Sequence, residues 1–279
     1  VRIRLDIAYD GTHFRGWARQ PGLRTVQGTL EAAITRILGG DPRLVVAGRT
    51  DAGVHALGQV AHLDLDDRQA SRLTPRRHGG ADPVSDLAHR IRGVLGAYAD
   101  VTVHRVTLAP SGFDARFSAV WRRYAYRVAD DTVEYDPLER ARTTTVRGRL
   151  DAEAMDAAAR SLVGLHDFAA YCKPRAEATT IRTLLEFEWM RGSDGVLVAT
   201  VKADAFCHSM VRGLVGACVA VGSGRLDIAD VTRLRDDAQR TSAFAVLPAR
   251  GLTLTGVGYP ADELLAARAE QTRARRDAE

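Results

Sequence analysis

The chain has 279 residues, 46% of them hydrophobic, and 39 Lys+Arg against 35 Asp+Glu give a formal net charge of +4, so it can bury one large core or two smaller ones without metal or disulfide support. No stretch approaches the ~18 consecutive apolar residues of a membrane-spanning helix, and the opening VRIRLDIAYDG alternates at once instead of following the charged-then-apolar layout of a signal peptide. The three cysteines, Cys172, Cys207 and Cys218, form no CxxC pair, which predicts thiols in a reducing cytoplasm.

Residues 2–9 place Ile3, Leu5, Ile7 and Tyr9 on one face against Arg2, Arg4 and Asp6, the period of two of a half-buried strand. A Gly-rich loop follows, and Thr25 is placed to cap a helix whose Val26, Leu30, Ala33, Ile34, Ile37 and Leu38 recur at helical spacing until Gly39-Gly40-Asp41-Pro42 ends it. Leu44–Val46 reads as a short strand leading into AGRTDAGVHALG, and Gln59–Leu65 resumes a strand pattern. Charge, Pro and Gly from Asp66 to about Asp86 predict an exposed excursion before a helix over Leu87–Leu95. Val101–Val106 is a further strand, and Ala109-Pro110-Ser111-Gly112 marks a junction.

The second half opens on an alternating strand with Val120, Arg122, Tyr124, Tyr126 and Val128 on one face, then a helix capped by Asp151 and carrying Met155, Ala159, Leu162 and Val163. Leu185–Trp189 and Val196–Val201 flank a Gly-containing turn and predict a hairpin. Helices are expected at about His208–Val221 and Asp227–Arg240, a strand at Leu252–Val257, and a solvated or frayed helical tail at Glu263–Glu279. Strands and helices mix without the regular alternation of a doubly wound sheet, so the class is α+β. The expected organisation is residues 1–108 as an N-terminal half, 109–262 as a C-terminal half and 263–279 as a charged tail.

Gly48-Arg49-Thr50-Asp51-Ala52-Gly53-Val54-His55 sets a carboxylate between an arginine and glycines, where the backbone can approach a ligand closely. An ionised Asp in such a place is a candidate nucleophile, although a turn aspartate capping nearby N–H groups satisfies the same four central residues. Every basic residue except Lys173 and Lys202 is an arginine, a side chain that grips phosphate bidentately and stacks on bases. Composition therefore admits a nucleic-acid partner without requiring one.

The octet resembles the signature loop of the TruA-type tRNA pseudouridine synthases, in which a GRTD-x-GVH run holds the catalytic aspartate. Upstream, Tyr9-Asp10-Gly11, Gly16-Trp17 and Val26-Gln27 resemble the family's YDG, GW and VQ elements; Ala18 stands where the family often has glutamine. Phe117-Ser118-Ala119 with Arg122-Arg123-Tyr124-Ala125-Tyr126 resembles its FSA and RRYxY segments, and Phe206-Cys207-His208-Ser209-Met210-Val211-Arg212 its F-x-H-x-M-V-R helix start. Asp167-Phe168 and Pro248–Leu252 are weaker matches, and Arg92–Gly96 departs from the family's asparagine-containing stretch.

The resemblance implies the pseudouridine synthase fold, two related α+β halves sharing a mainly antiparallel sheet with helices packed on it. It implies Asp51 as nucleophile, Tyr124 stacking near the target base, Arg212 paired with the catalytic aspartate and Arg49 holding RNA or the space left by the extruded nucleotide. It also implies a cytoplasmic homodimer that takes tRNA, isomerises uridines at positions 38, 39 and 40 of the anticodon stem-loop, and uses neither metal nor other cofactor. Three other readings compete. A non-catalytic RNA-binding module predicts the loss of Asp51, a glycoside hydrolase needs a second carboxylate that the loop lacks, and a purely structural α+β protein leaves three separated motifs unexplained.

Overall fold

The computed structural model describes residues 1–73, 82–175 and 179–277 and falls into two units, one formed by Val1–Ala119 with the chain from Gly256 onward, the other by Val120–Thr255. In the first unit the predicted alternation becomes β1 (Arg2–Tyr9), with Ile3, Leu5 and Ile7 fully buried. Thr25 caps α1 (Val26–Leu38) by accepting from Gly28 N–H, and Gly39 at φ 73° ends it. β2 (Val45–Val46) and β3 (His55–Asp64) bracket the loop that carries the octet. Of the excursion expected at 66–86, residues 74–81 lie outside the described residues, while Asp66 and Gln69 close a capping box on α2 (Asp67–Ala70). The next helix, α3 (Pro83–Leu95), starts earlier than its apolar repeat suggests, because Asp82 accepts from Ser85 N–H and Pro83 fits the first helical turn. β4 (Val101–Leu108) completes an antiparallel order β4-β1-β3, with β2 paired to β3.

The sequence reading places the junction near residue 109, but residues 110–119 stay with the first unit. Phe113 and Ala115 are buried with Ala47, Val60 and Leu265 in one cluster, so Ala109–Gly112 is a turn inside the unit, and the division falls at Ala119/Val120.

The second unit contains β5 (Trp121–Ala129), β6 (Thr144–Thr145), α4 (Ala152–Ser161), β7 (Gly164–Asp167), β8 (Ile181–Arg191), β9 (Leu197–Ala203), α5 (Met210–Gly222) and α6 (Ile228–Asp237). β5, β9, β8 and β7 pair antiparallel in that order, and β6 lies parallel to β5. Asp151 caps α4, as the sequence predicts, and α5 is apolar and buried almost throughout. Asp130 at the end of β5 is 1% exposed. It accepts two hydrogen bonds from the Arg191 guanidinium, two from Thr132 and one from Leu150 N–H, which hold its carboxyl far below the usual carboxylate range. Cys172 and Cys207 are joined as a disulfide with Cα atoms 6.0 Å apart, where the sequence predicts thiols, while Cys218 is buried and unpaired.

β10 (Leu252–Gly258) carries the chain from the second unit back into the first. The tail is a docked helix, not a frayed one: α7 (Leu265–Asp277) buries Leu265 and Ala269. Arg273 bridges to Asp114 at 2.8 Å and stacks over Phe117 at 4.9 Å. Among the described residues no helix is long and apolar enough to cross a membrane.

Candidate active site

Asp51 and Arg49 are both exposed on the loop between β2 and β3. With Arg15, Gly16, Trp17, Ala18, Gln20, Thr50 and Ala52 they line a cleft of about 270 Å³. Residues to either side of Asp51 are pinned. Trp17 N–H donates to Thr50 O at 3.0 Å, Gly53 N–H to Phe14 O at 3.3 Å, and Val54 N–H closes the turn onto Asp51 O at 3.2 Å. Phe14 and Trp17 are 2% and 1% exposed, so they work as packing beneath the loop and not as surfaces for a base.

The loop also rests on the Tyr9-Asp10-Gly11 segment. Gly11 is glycine for room: a Cβ there would fall against the Val54 carbonyl, 2.5 Å from its carbon. Gly11 N–H donates to His55 Nδ1 at 3.0 Å. A proton on that nitrogen would instead be given to Asp10 Oδ1, also 3.0 Å away, so Nδ1 serves one partner or the other. Asp10 accepts from Thr12 N–H and its hydroxyl as well; although its partial burial works the other way, these bonds and His55 draw its pKa below the usual value.

Tyr124 and Arg212 belong to the second unit. Tyr124 is 9% exposed on β5 and meets the Phe206 ring edge-on at 5.1 Å. Arg212 lies in the first turn of α5, after Ser209 in the left-handed region at φ 64°. Its Nε donates to Leu247 O at 2.5 Å, and Leu247 N–H returns a bond to Arg212 O at 3.2 Å. The segment after Leu247 is fixed in turn by Tyr126, whose hydroxyl donates to Pro248 O at 2.7 Å and contacts Thr144 Oγ1 at 2.9 Å. Burial raises the Tyr126 phenol to about 12 against the opposing pull of its hydrogen bond with Thr144 and, after it, of Arg212 and Arg250. The familial but weak match Pro248–Leu252 thus has a physical role: it holds the acceptor that orients Arg212.

Sequence reasoning misses Gln59, Tyr126 and Leu247 as supports. Their partners lie 11, 122 and 35 residues away along the chain, and no spacing pattern announces such bonds. Tyr9 is legible as a strand residue and as part of YDG, but its contact with the loop that carries Asp51 is not.

Comparison with known proteins bears on the whole chain. The tRNA pseudouridine synthase family model matches residues 7–75 and 158–260, more than half of the sequence. A protein named tRNA pseudouridine synthase A from Leifsonia xyli is 62% identical, with 98% of this chain and 96% of that protein covered. Its namesake from Streptomyces avermitilis is 53% identical, with 99% and 94% covered. The solved archaeal box H/ACA sRNP Nop10-Cbf5 complex aligns over 78% of this chain and 44% of its own at 11% identity and a TM-score of 0.33, too remote to carry an argument. The fold is that of the pseudouridine synthases, and the chain belongs to the tRNA pseudouridine synthase family, enzymes that isomerise uridine in tRNA to pseudouridine.

Proposed function

We propose that this chain converts uridines 38, 39 and 40 in the anticodon stem-loop of tRNA to pseudouridine, with Asp51 as the nucleophile, acting as a cytoplasmic homodimer that needs no cofactor. The observation that carries the reading is Asp51 itself: an exposed carboxylate on a cleft wall, in a loop whose backbone is fixed at Thr50, Gly53 and Val54. Isomerisation breaks the bond between C1′ and N1, turns the uracil, joins C1′ to C5 and releases the C5 proton while N1 takes one up. Attack at C6, attack at C1′ and elimination all require one carboxylate beside the ribose and base, and a fixed loop supplies it without losing orientational freedom at the moment of reaction.

A stacked uridine hides C1′ and C6, so the nucleotide must leave the stem at a cost of a few kcal/mol. The roles of Tyr124 in stacking on the extruded base, of Arg49 in contacting RNA and of Arg212 in orienting the carboxylate are carried over from the family resemblance. Aromatic platforms combined with guanidinium groups are the usual means of holding an unstacked base.

The test is tritium release from tRNA labelled at C5 of uridine, comparing the intact protein with Asp51→Ala, together with tRNA binding. Release that disappears in Asp51→Ala while binding persists supports the assignment. No release by the intact protein, with binding retained, overturns it in favour of a non-catalytic RNA-binding module. Mapping the product to positions outside 38–40 overturns the choice of target alone.

A further inference from the structure

We propose that Tyr9, Gln59 and Thr50 form a buried hydrogen-bonded clamp that sets the position of the Asp51 carboxylate, which makes Thr50 a positioning residue for the reaction and Tyr9 and Gln59 its supports. The inference rests on the reading of Asp51 as nucleophile.

The geometry is continuous. Tyr9 Oη lies 2.7 Å from Thr50 Oγ1. Gln59 Nε2 donates to Tyr9 Oη at 3.2 Å and to Gly48 O at 2.9 Å. The single Gln59 amide therefore ties the entrance of the loop at Gly48 to the phenol that holds Thr50, the residue next to Asp51. Gln59 takes one lone pair of the phenol oxygen, and between the phenol and Thr50 Oγ1 either hydroxyl can be the donor. All three side chains are buried, with Gln59 at 0% exposure, where hydrogen bonds are strong and an unmade one is costly.

The clamp is rigid on its other side too. Tyr9 ends β1, with its ring 6.0 Å from Trp17 and 6.5 Å from Phe14. Those two residues grip the loop through their own backbone, at Thr50 O and Gly53 N–H. Thr50 is thus held by its carbonyl and by its hydroxyl, one residue before the carboxylate. Burial pushes the Tyr9 phenol up to about 12, so it keeps its proton throughout the neutral range. A hydroxyl is not needed at position 50 for bulk, since valine has nearly the same shape. It is needed as the partner of Tyr9.

Displacing a reacting group by about 1 Å costs on the order of 100-fold in rate, and this sets the scale of the test. Tyr9→Phe, Thr50→Val and Thr50→Ser are compared with Asp51→Ala in the tritium-release assay, with KM for tRNA and thermal midpoint measured on each. Tyr9→Phe and Thr50→Val are expected to lower kcat by about 10- to 100-fold, with KM within about twofold of the parent. Thr50→Ser recovers most of the loss seen in Thr50→Val, and the Tyr9→Phe, Thr50→Val double variant falls no further than the worse single one, as members of one unit should.

Parental kcat in both Tyr9→Phe and Thr50→Val overturns the clamp, as do additive losses in the double variant or a serine as poor as valine. Assays are run below each variant's melting midpoint, so loss of fold is read from the melt and not from turnover; the serine-against-valine comparison then decides. If Asp51→Ala retains turnover, the assignment of the nucleophile fails; if Asp51→Ala is inactive while the clamp variants keep parental kcat, only the clamp fails.

Discussion

Replacing Gly11 with alanine tests whether the YDG segment supports the Asp51 loop by close packing. Gly11 is buried and its φ is not positive, so alanine meets no backbone penalty there, and the effect comes from space alone. The new methyl would lie 2.5 Å from the Val54 carbonyl carbon and closer still to its oxygen, so one backbone must move by roughly 1 Å to restore ordinary contact. Overpacking of this kind costs about 1–3 kcal/mol, while the stiffer unfolded chain returns about 0.4–1 kcal/mol. The packing cost wins, and the melting midpoint should fall by roughly 2–8 °C. Val54 N–H bonds to Asp51 O, so the shift reaches the proposed nucleophile directly and kcat should fall by about 100-fold, with tRNA affinity nearly unchanged. Tritium release under single-turnover conditions, a thermal melt and tRNA binding measure the three quantities. A Gly11→Ala protein with parental rate and melting midpoint would refute the argument.

Three further outcomes are expected. Gly251→Ala brings a methyl 2.7 Å from the Tyr126 ring; it should destabilise the protein by about 1–3 kcal/mol in urea melts and lower turnover by loosening the Leu247 acceptor of Arg212. Asp130→Asn removes the buried charge beneath Arg191, which is partly exposed, and should cost about 2–4 kcal/mol. Because the Asp130 pKa is depressed in the folded state, its contribution is present above the ordinary 3.8 and fades as pH falls below that value; urea melts at descending pH should lose this increment in the parent and not in the variant. Tyr9 and Tyr126 behave in the opposite sense. Their pKa values rise from 10.0 to about 12 on folding, so their contribution is whole below pH 10 and is lost as pH climbs toward 12, by roughly 3 kcal/mol each. Absorbance titration of tyrosinate in folded and urea-unfolded protein checks this.

What the sequence makes legible is local. The first strand and α1 are readable because alternation, the Thr25 cap and the Gly39-Gly40 stop each act within a few residues. Strands β6 and β7, of two and four residues, are too short to carry a period. The tail reads as solvated because, among its described residues, only Leu265 and Ala269 mark its buried side; what docks it is Arg273 on Asp114 and Phe117, a pairing between distant residues. The Cys172–Cys207 link spans 35 residues without a spacing signature. In the candidate site, the glycines and the octet point to Asp51 and Arg49. The supports of that loop come from Tyr9 and Gln59, 41 residues before Thr50 and 11 residues after Gly48.

Both units fix a candidate site residue by the same physical device, a buried tyrosine whose hydroxyl reaches across to another segment. In the first, Tyr9 holds Thr50 beside Asp51; in the second, Tyr126 holds Pro248 beside the Leu247 acceptor of Arg212. A phenol suits the task because its ring is packed by apolar neighbours while its single hydroxyl supplies direction, and two χ angles leave little entropy to lose. An apolar side chain would pack as well but would leave Thr50 Oγ1 or Pro248 O unpaired, a cost of about 1–3 kcal/mol at each site. Each tyrosine is therefore under two separable demands, volume and a hydroxyl. Phenylalanine keeps the first and removes the second, which is why loss of turnover with the fold retained is the signature that distinguishes positioning from packing at both.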